Sequence, residues 1–181
     1  MGLYDIVAMA IGFCGTIMLF LMFQQNDRKR ILVFQIFGTS FFCIHFLLLG
    51  AYTGATLNAI AVIRAVIYFH RDKKIFGKKI WLWLFICISA AAGVLTWEGY
   101  ISILPTIAMI IGSVSVWVKK PRSIRILSII PSPMWMTYNI INISVPGMIT
   151  EVFVMTSIAI SIIRYDILKK EEKLPLRAFS E

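Results

Sequence analysis

Residues 71–100 read RDKKIFGKKIWLWLFICISAAAGVLTWEGY. A basic run gives way to an uncharged apolar stretch at 80–96, which ends at a turn holding one acid, Glu98. As a helix that stretch rises roughly 25 Å, close to the ~30 Å of a hydrocarbon core. Cytoplasmic segments collect Lys and Arg, because positive charge resists translocation. The stretch therefore reads as a membrane helix entering from the cytoplasm at Lys79 and emerging outside before Glu98.

The same alternation extends in both directions. Apolar stretches at 3–23, 31–49, 53–70, 80–96, 100–118, 126–143 and 146–163 are each long enough to approach or cross a bilayer. Arg28, Lys29 and Arg30 fill the first loop, and the second has no basic residue. Arg71, Lys73, Lys74, Lys78 and Lys79 fill the third, whereas the fourth holds only Glu98. Lys119, Lys120, Arg122 and Arg125 fill the fifth, and the sixth has none. Arg164, Lys169, Lys170, Lys173 and Arg177 follow the last stretch. Seven crossings, with the N-terminus outside and the C-terminus cytoplasmic, put seventeen of the eighteen basic residues on one side; Arg64 is the exception. The bacterial cytoplasmic (inner) membrane is the expected location.

Composition agrees. Hydrophobic residues make up 59% and charged residues 15%, against about 25% charged in soluble domains. Mean hydropathy is +0.84. The start, MGLYD, carries no basic residue, so the first stretch reads as a retained span and not as a cleavable signal peptide. Cys14, Cys43 and Cys87 all fall inside spans and read as small apolar side chains, not disulfides. No CxxC or HxxxH spacing exists, so neither a metal nor another cofactor is expected. The net charge of +9 sits in short clusters between apolar stretches. The lipid bilayer is their natural partner, and nucleic acid is not.

Seven stretches divide as three, one and three. The division predicts a first three-helix repeat at 1–72, a linker helix at 73–98, a second repeat at 99–166 and a cytoplasmic tail at 167–181. Arg30-Ile31-Leu32 matches Arg125-Ile126-Leu127, Gly54 matches Gly147, Arg71 matches Arg164, and Ile11-Gly12 matches Ile111-Gly112. A single linker helix makes the repeats run parallel, a plan that some transporters use.

The segments IHFLLLGAYTGATLNAIAVIR at 44–64 and WMTYN at 135–139 stand with Glu151 and with IIR at 162–164. Through them the chain resembles the bacterial inner membrane protein YgjV family over nearly its whole length. The resemblance implies the wider group of three-plus-one-plus-three membrane proteins: SWEETs, PQ-loop proteins, PnuC-type nicotinamide riboside transporters and KDEL receptors. It carries an architecture more than an activity. The Pro-Gln pair of PQ-loop proteins is absent here, and Pro105 in the fifth stretch has no counterpart in the first.

Ionisable groups inside hydrocarbon cost roughly 2.5 kcal/mol or more, so each is a functional candidate. The candidates for solute binding are His45, Asn58, Arg64, Trp135, Tyr138, Asn139 and Glu151. Counted at 1.5 Å per residue, His45, Asn58, Asn139 and Glu151 fall roughly 6–8 Å below the outer face, with Arg64 and Trp135 deeper. An outward-open pocket floored by Trp135 uses them all. Each also has a structural reading: Arg64 as a snorkelling anchor, Glu151 as a solvated surface acid, His45, Asn58 and Asn139 as bonds between helices. Pro131 and Pro133 should bend the sixth span.

The reading favoured by these residues is a SWEET- or PnuC-like transporter of a small polar solute, with Arg64 pointing to a carboxylate or phosphate. The alternative is a non-transporting receptor, assembly or structural protein; a homo-oligomer is left open. An enzyme is not expected, since His45 has no second histidine near it. A retinal protein is excluded, because every lysine lies in a loop or the tail.

Overall fold

The computed structural model describes residues 3–168, so Lys169, Lys170, Lys173, Arg177 and nearly all of the predicted tail lie outside the described residues. Among the described residues the chain is all helical: α1 Leu3–Phe23, α2 Arg28–Leu48, α3 Tyr52–Phe69, α4 Ile80–Leu95, α5 Ile103–Trp117, α6 Pro121–Ser128, α7 Pro131–Ile141 and α8 Val145–Ser161. A 3-10 turn, Tyr100–Ser102, leads into α5, and a π-helical turn, Ile162–Ile167, extends α8. Five segments are long and apolar enough to cross a membrane: Tyr4–Phe23, Arg28–Leu48, Tyr52–Phe69, Tyr100–Trp117 and Val145–Tyr165. The helix Ile80–Leu95 is apolar but shorter, with 16 residues.

The predicted stretch 126–143 is not one helix. It starts inside α6, breaks at Ile129–Ile130 and resumes as α7. Pro131 and Pro133 bring no N–H to the carbonyls of Leu127 and Ile129, so the helical ladder cannot continue through them. Instead they occupy the first turn of α7, where a missing donor costs nothing. Pro105 and Pro146 are likewise in the first turns of α5 and α8.

The turns between helices follow from local chemistry. Asp27 caps α2 by accepting the backbone N–H of Arg30 at 2.9 Å. Ser144 caps α8 by accepting from the N–H of Gly147 at 3.1 Å. Gly50, with φ 70°, reverses the chain between α2 and α3 in a conformation that favours glycine. The N-terminus of α3 has no capping side chain of its own. Glu98 supplies it from the α4–α5 turn: its Oε1 accepts the N–H groups of Tyr52 and Thr53.

Six helices pack into a closed ring in the order α1, α2, α3, α5, α7, α8 and back to α1. α4 lies outside it against α5 and α3, and the short α6 leans on α5, α7 and α8. Small residues bring the backbones together, as usual between membrane helices. A Cβ on Gly38 would lie 2.6 Å from Cδ2 of Leu19, so the bare backbone there makes room for the Leu19 side chain where α1 and α2 pack. At the end rich in Lys and Arg, Arg28 donates to the carbonyls of Tyr68, Val116 and Val118. Arg71 stacks 3.8 Å from the Trp117 ring and donates to the Trp117 carbonyl. Burial lowers the pKa of Arg71 from its ordinary value.

Candidate functional site

The ring encloses a cavity of about 140 Å³. Its wall draws on all six ring helices and on Ser128 of α6, and on no residue of α4. Five of the sequence-predicted residues line it: Asn58, Arg64, Trp135, Asn139 and Glu151. His45 and Tyr138 do not.

Arg64 is 2% exposed, so its guanidinium does not snorkel to the surface. Nη1 donates to the Ser113 hydroxyl at 2.7 Å and to the Met109 carbonyl at 3.3 Å, which ties α3 to α5. Nε has no partner among the described residues, and no carboxylate there forms an ion pair with this side chain. Glu151, partly buried on α8, accepts a hydrogen bond at Oε2 from the Ser132 hydroxyl of α7. Counted from the starts of their helices, Arg64 lies roughly 9 Å deeper than Glu151.

Three of the predicted neutral residues also lie on the wall. Asn58 donates to the Gly54 carbonyl, one turn back, at 2.9 Å. Asn139 is 2% exposed, and its Oδ1 has no partner among the described residues. Only the missing side chain of Gly147 leaves room for it, since a Cβ there would overlap the Asn139 amide. Trp135 stacks on Phe46 with ring centroids 6.1 Å apart.

The two remaining predicted residues hold the structure around the cavity. His45 Nδ1 is 2.8 Å from the Ala8 carbonyl and Nε2 is 2.9 Å from the Ser144 hydroxyl, so the ring joins α1, α2 and the cap of α8. Tyr138 accepts from the Gly54 N–H at 3.0 Å and donates to Glu98 at 3.3 Å. The polar belt expected across four helices thus reduces at the cavity to Asn58, Asn139 and Glu151.

A family model described as "bacterial inner membrane protein", Imp-YgjV, matches residues 6–169. The chain belongs to this family. No curated protein and no solved structure matches it. Membership makes this Imp-YgjV chain an integral inner membrane protein.

The lining of the Imp-YgjV cavity has a fixed interval. Leu19 and Gly112, Phe23 and Val116, Gln35 and Ser128, Thr39 and Ser132, Phe42 and Trp135, Phe46 and Asn139, Asn58 and Glu151, and Ala61 and Val154 all line it, and each pair is 93 residues apart. Gly54 and Gly147, and Arg71 and Arg164, stand at the same interval. Arg30 with Arg125 and Gly12 with Gly112 stand at 95 and 100. Sequence reasoning missed Gln35, Thr39, Ser128, Ser132 and Thr150 on the wall, and Glu98 beyond it. The 93-residue register was the signal that could have found Gln35 and Thr39, opposite Ser128 and Ser132.

Proposed function

We propose that this protein carries a small polar solute across the bacterial inner membrane by way of the cavity inside its helix ring. One observation supports the reading above the others. A cavity walled by six apolar helices holds a buried cation, a carboxylate and two amide oxygens without partners among the described residues, and no ion pair joins the two ionisable groups. Such groups are expensive in hydrocarbon, and a polar ligand offsets their cost. In this reading the solute crosses unchanged; the single deep histidine has both ring nitrogens engaged by Ala8 and Ser144 and supplies no free base.

The proposed architecture is seven crossings, with α4 as the fourth and α6–α7 together as the sixth, the N-terminus outside and the C-terminus cytoplasmic. α1–α2–α3 and α5–α7–α8 form two parallel repeats about an axis along the membrane normal. The ring order and the 93-residue register of the wall support this plan, which suits alternating access at a central site.

Flux decides the reading. The purified chain in liposomes should accumulate a radiolabelled solute from a panel of amino carboxylates, short carboxylates and polyols, and Arg64→Lys should slow that uptake. If no member of the panel enters faster than into protein-free liposomes, the carrier reading is wrong.

A further inference from the structure

The 93-residue register pairs positions across the two halves of the cavity wall, although no pair holds the same residue twice. Two positions carry an ionisable group in one half only. Glu151 stands where the first half has Asn58, and Arg64 stands where the second half has Ser157. Ser157 joins α8 to the end of α1, donating to the Phe20 carbonyl at 2.8 Å and accepting from Gln24 Nε2 at 2.7 Å. One half therefore gives the wall its single cation and the other its single carboxylate.

The two charges are kept apart. Arg64 makes no ion pair among the described residues, and its Nε is buried without a partner. Glu151 takes its hydrogen bond from Ser132. Two more buried atoms without a partner among the described residues, Asn139 Oδ1 and Gln35 Oε1, belong to the same wall. A buried guanidinium needs a counter-charge, which a ligand carboxylate provides bidentately. A carboxylate and an amide oxygen need donors, which an ammonium provides. A ligand with only one charge would leave the other wall charge unanswered.

Resting on the carrier reading above, we infer that the cavity binds a small zwitterion, an amino carboxylate whose carboxylate meets Arg64 and whose ammonium meets Glu151. Volume limits its size. About 140 Å³ is close to the cavity that accepts benzene in an engineered protein core. A solute of six to nine heavy atoms or so fits that space.

The test is a thermal-shift titration of the purified full-length chain with 4-aminobutyrate, butyrate, butylammonium and butanamide. 4-Aminobutyrate should stabilise the wild type at a concentration roughly tenfold lower than any of its three one-charge or neutral analogues. Glu151→Gln should erase the preference for 4-aminobutyrate over butyrate. Equal potency of butyrate and 4-aminobutyrate on the wild type overturns the inference, and so does stabilisation by none of the four; neither outcome requires a variant to fold. Uptake of labelled 4-aminobutyrate into liposomes separates the two readings. Binding without uptake keeps the zwitterion site and defeats the carrier, whereas uptake of a polyol with no zwitterion binding does the reverse.

Discussion

His45 and Asn139 are both polar, both buried and both near the same end of α2 and α7, yet they act in different places. The His45 ring is bonded on both sides, to Ala8 and Ser144, whereas Asn139 keeps an oxygen free at the cavity. His45→Ala should therefore lower thermal stability by about 1–3 kcal/mol while leaving ligand affinity unchanged. Lost affinity at unchanged stability would return His45 to the site. Gly147→Ala should cost about 1–3 kcal/mol through overpacking, because the new methyl meets the Asn139 side chain. Gly54→Ala should cost less, since the nearest atoms there are 3.0–3.1 Å away. Thermal unfolding of the two variants side by side checks the ranking. Arg64, Asn58, Trp135, Asn139 and Glu151 were legible in the sequence because polar or bulky groups stand out among apolar neighbours. Thr39 and Thr150 were not, because each bonds the carbonyl one turn back in its own helix, Gln35 and Pro146, and leaves no trace in hydropathy. Rotation about the helix axis was not legible: His45 faces α1 and the cap of α8.

At the scale of the helix, the ends carry the information. The N-terminus of α3 is satisfied in trans by Glu98, which also receives Tyr138 of α7. Glu98→Ala should destabilise by about 1 kcal/mol. It should also speed amide hydrogen exchange in the first turn of α3 more than in the first turn of α8, which Ser144 caps. Equal exchange in both turns would deny Glu98 this role. The α6–α7 break invites the opposite experiment. Pro131→Ala with Pro133→Ala restores both missing donors and should join the two helices, raising thermal stability and slowing transport. Unchanged flux in the double variant would make the break a passive bend. The limits of α1 and α4 were close to those read from the sequence, because the hydropathy edge and the helix edge coincide there. The limits of α7 were not, because Ile129 and Ile130 are apolar enough to bridge a break that only backbone hydrogen bonding reveals.

For the whole molecule, the placement of charge gives an orientation that reporters can read. A periplasm-active reporter fused after Gly50 or Glu98 should be active, and the same reporter after Lys79 silent. Activity after Lys79 would overturn the proposed topology. The closed ring, with α4 outside it, was not legible, since neighbours in space are set by helix faces and not by hydropathy. The ring also bears on how the chain enters the membrane. The α6–α7 run carries Arg122, Arg125 and a break, and neither piece is among the five segments fit to cross a membrane by length and composition. α7 has 11 residues, or roughly 16 Å of helix, about half a hydrocarbon core. An insertion machinery that weighs each emerging segment alone would let it pass. α7 packs between α5 and α8, so this part of the wall should wait at the interface during synthesis until α8 is complete. With Thr137→Cys as the one cysteine, Cys14, Cys43 and Cys87 being replaced by Ser, a nascent chain released after Ile143 should leave α7 accessible to water-soluble thiol reagents, and one released after Arg164 should shield it.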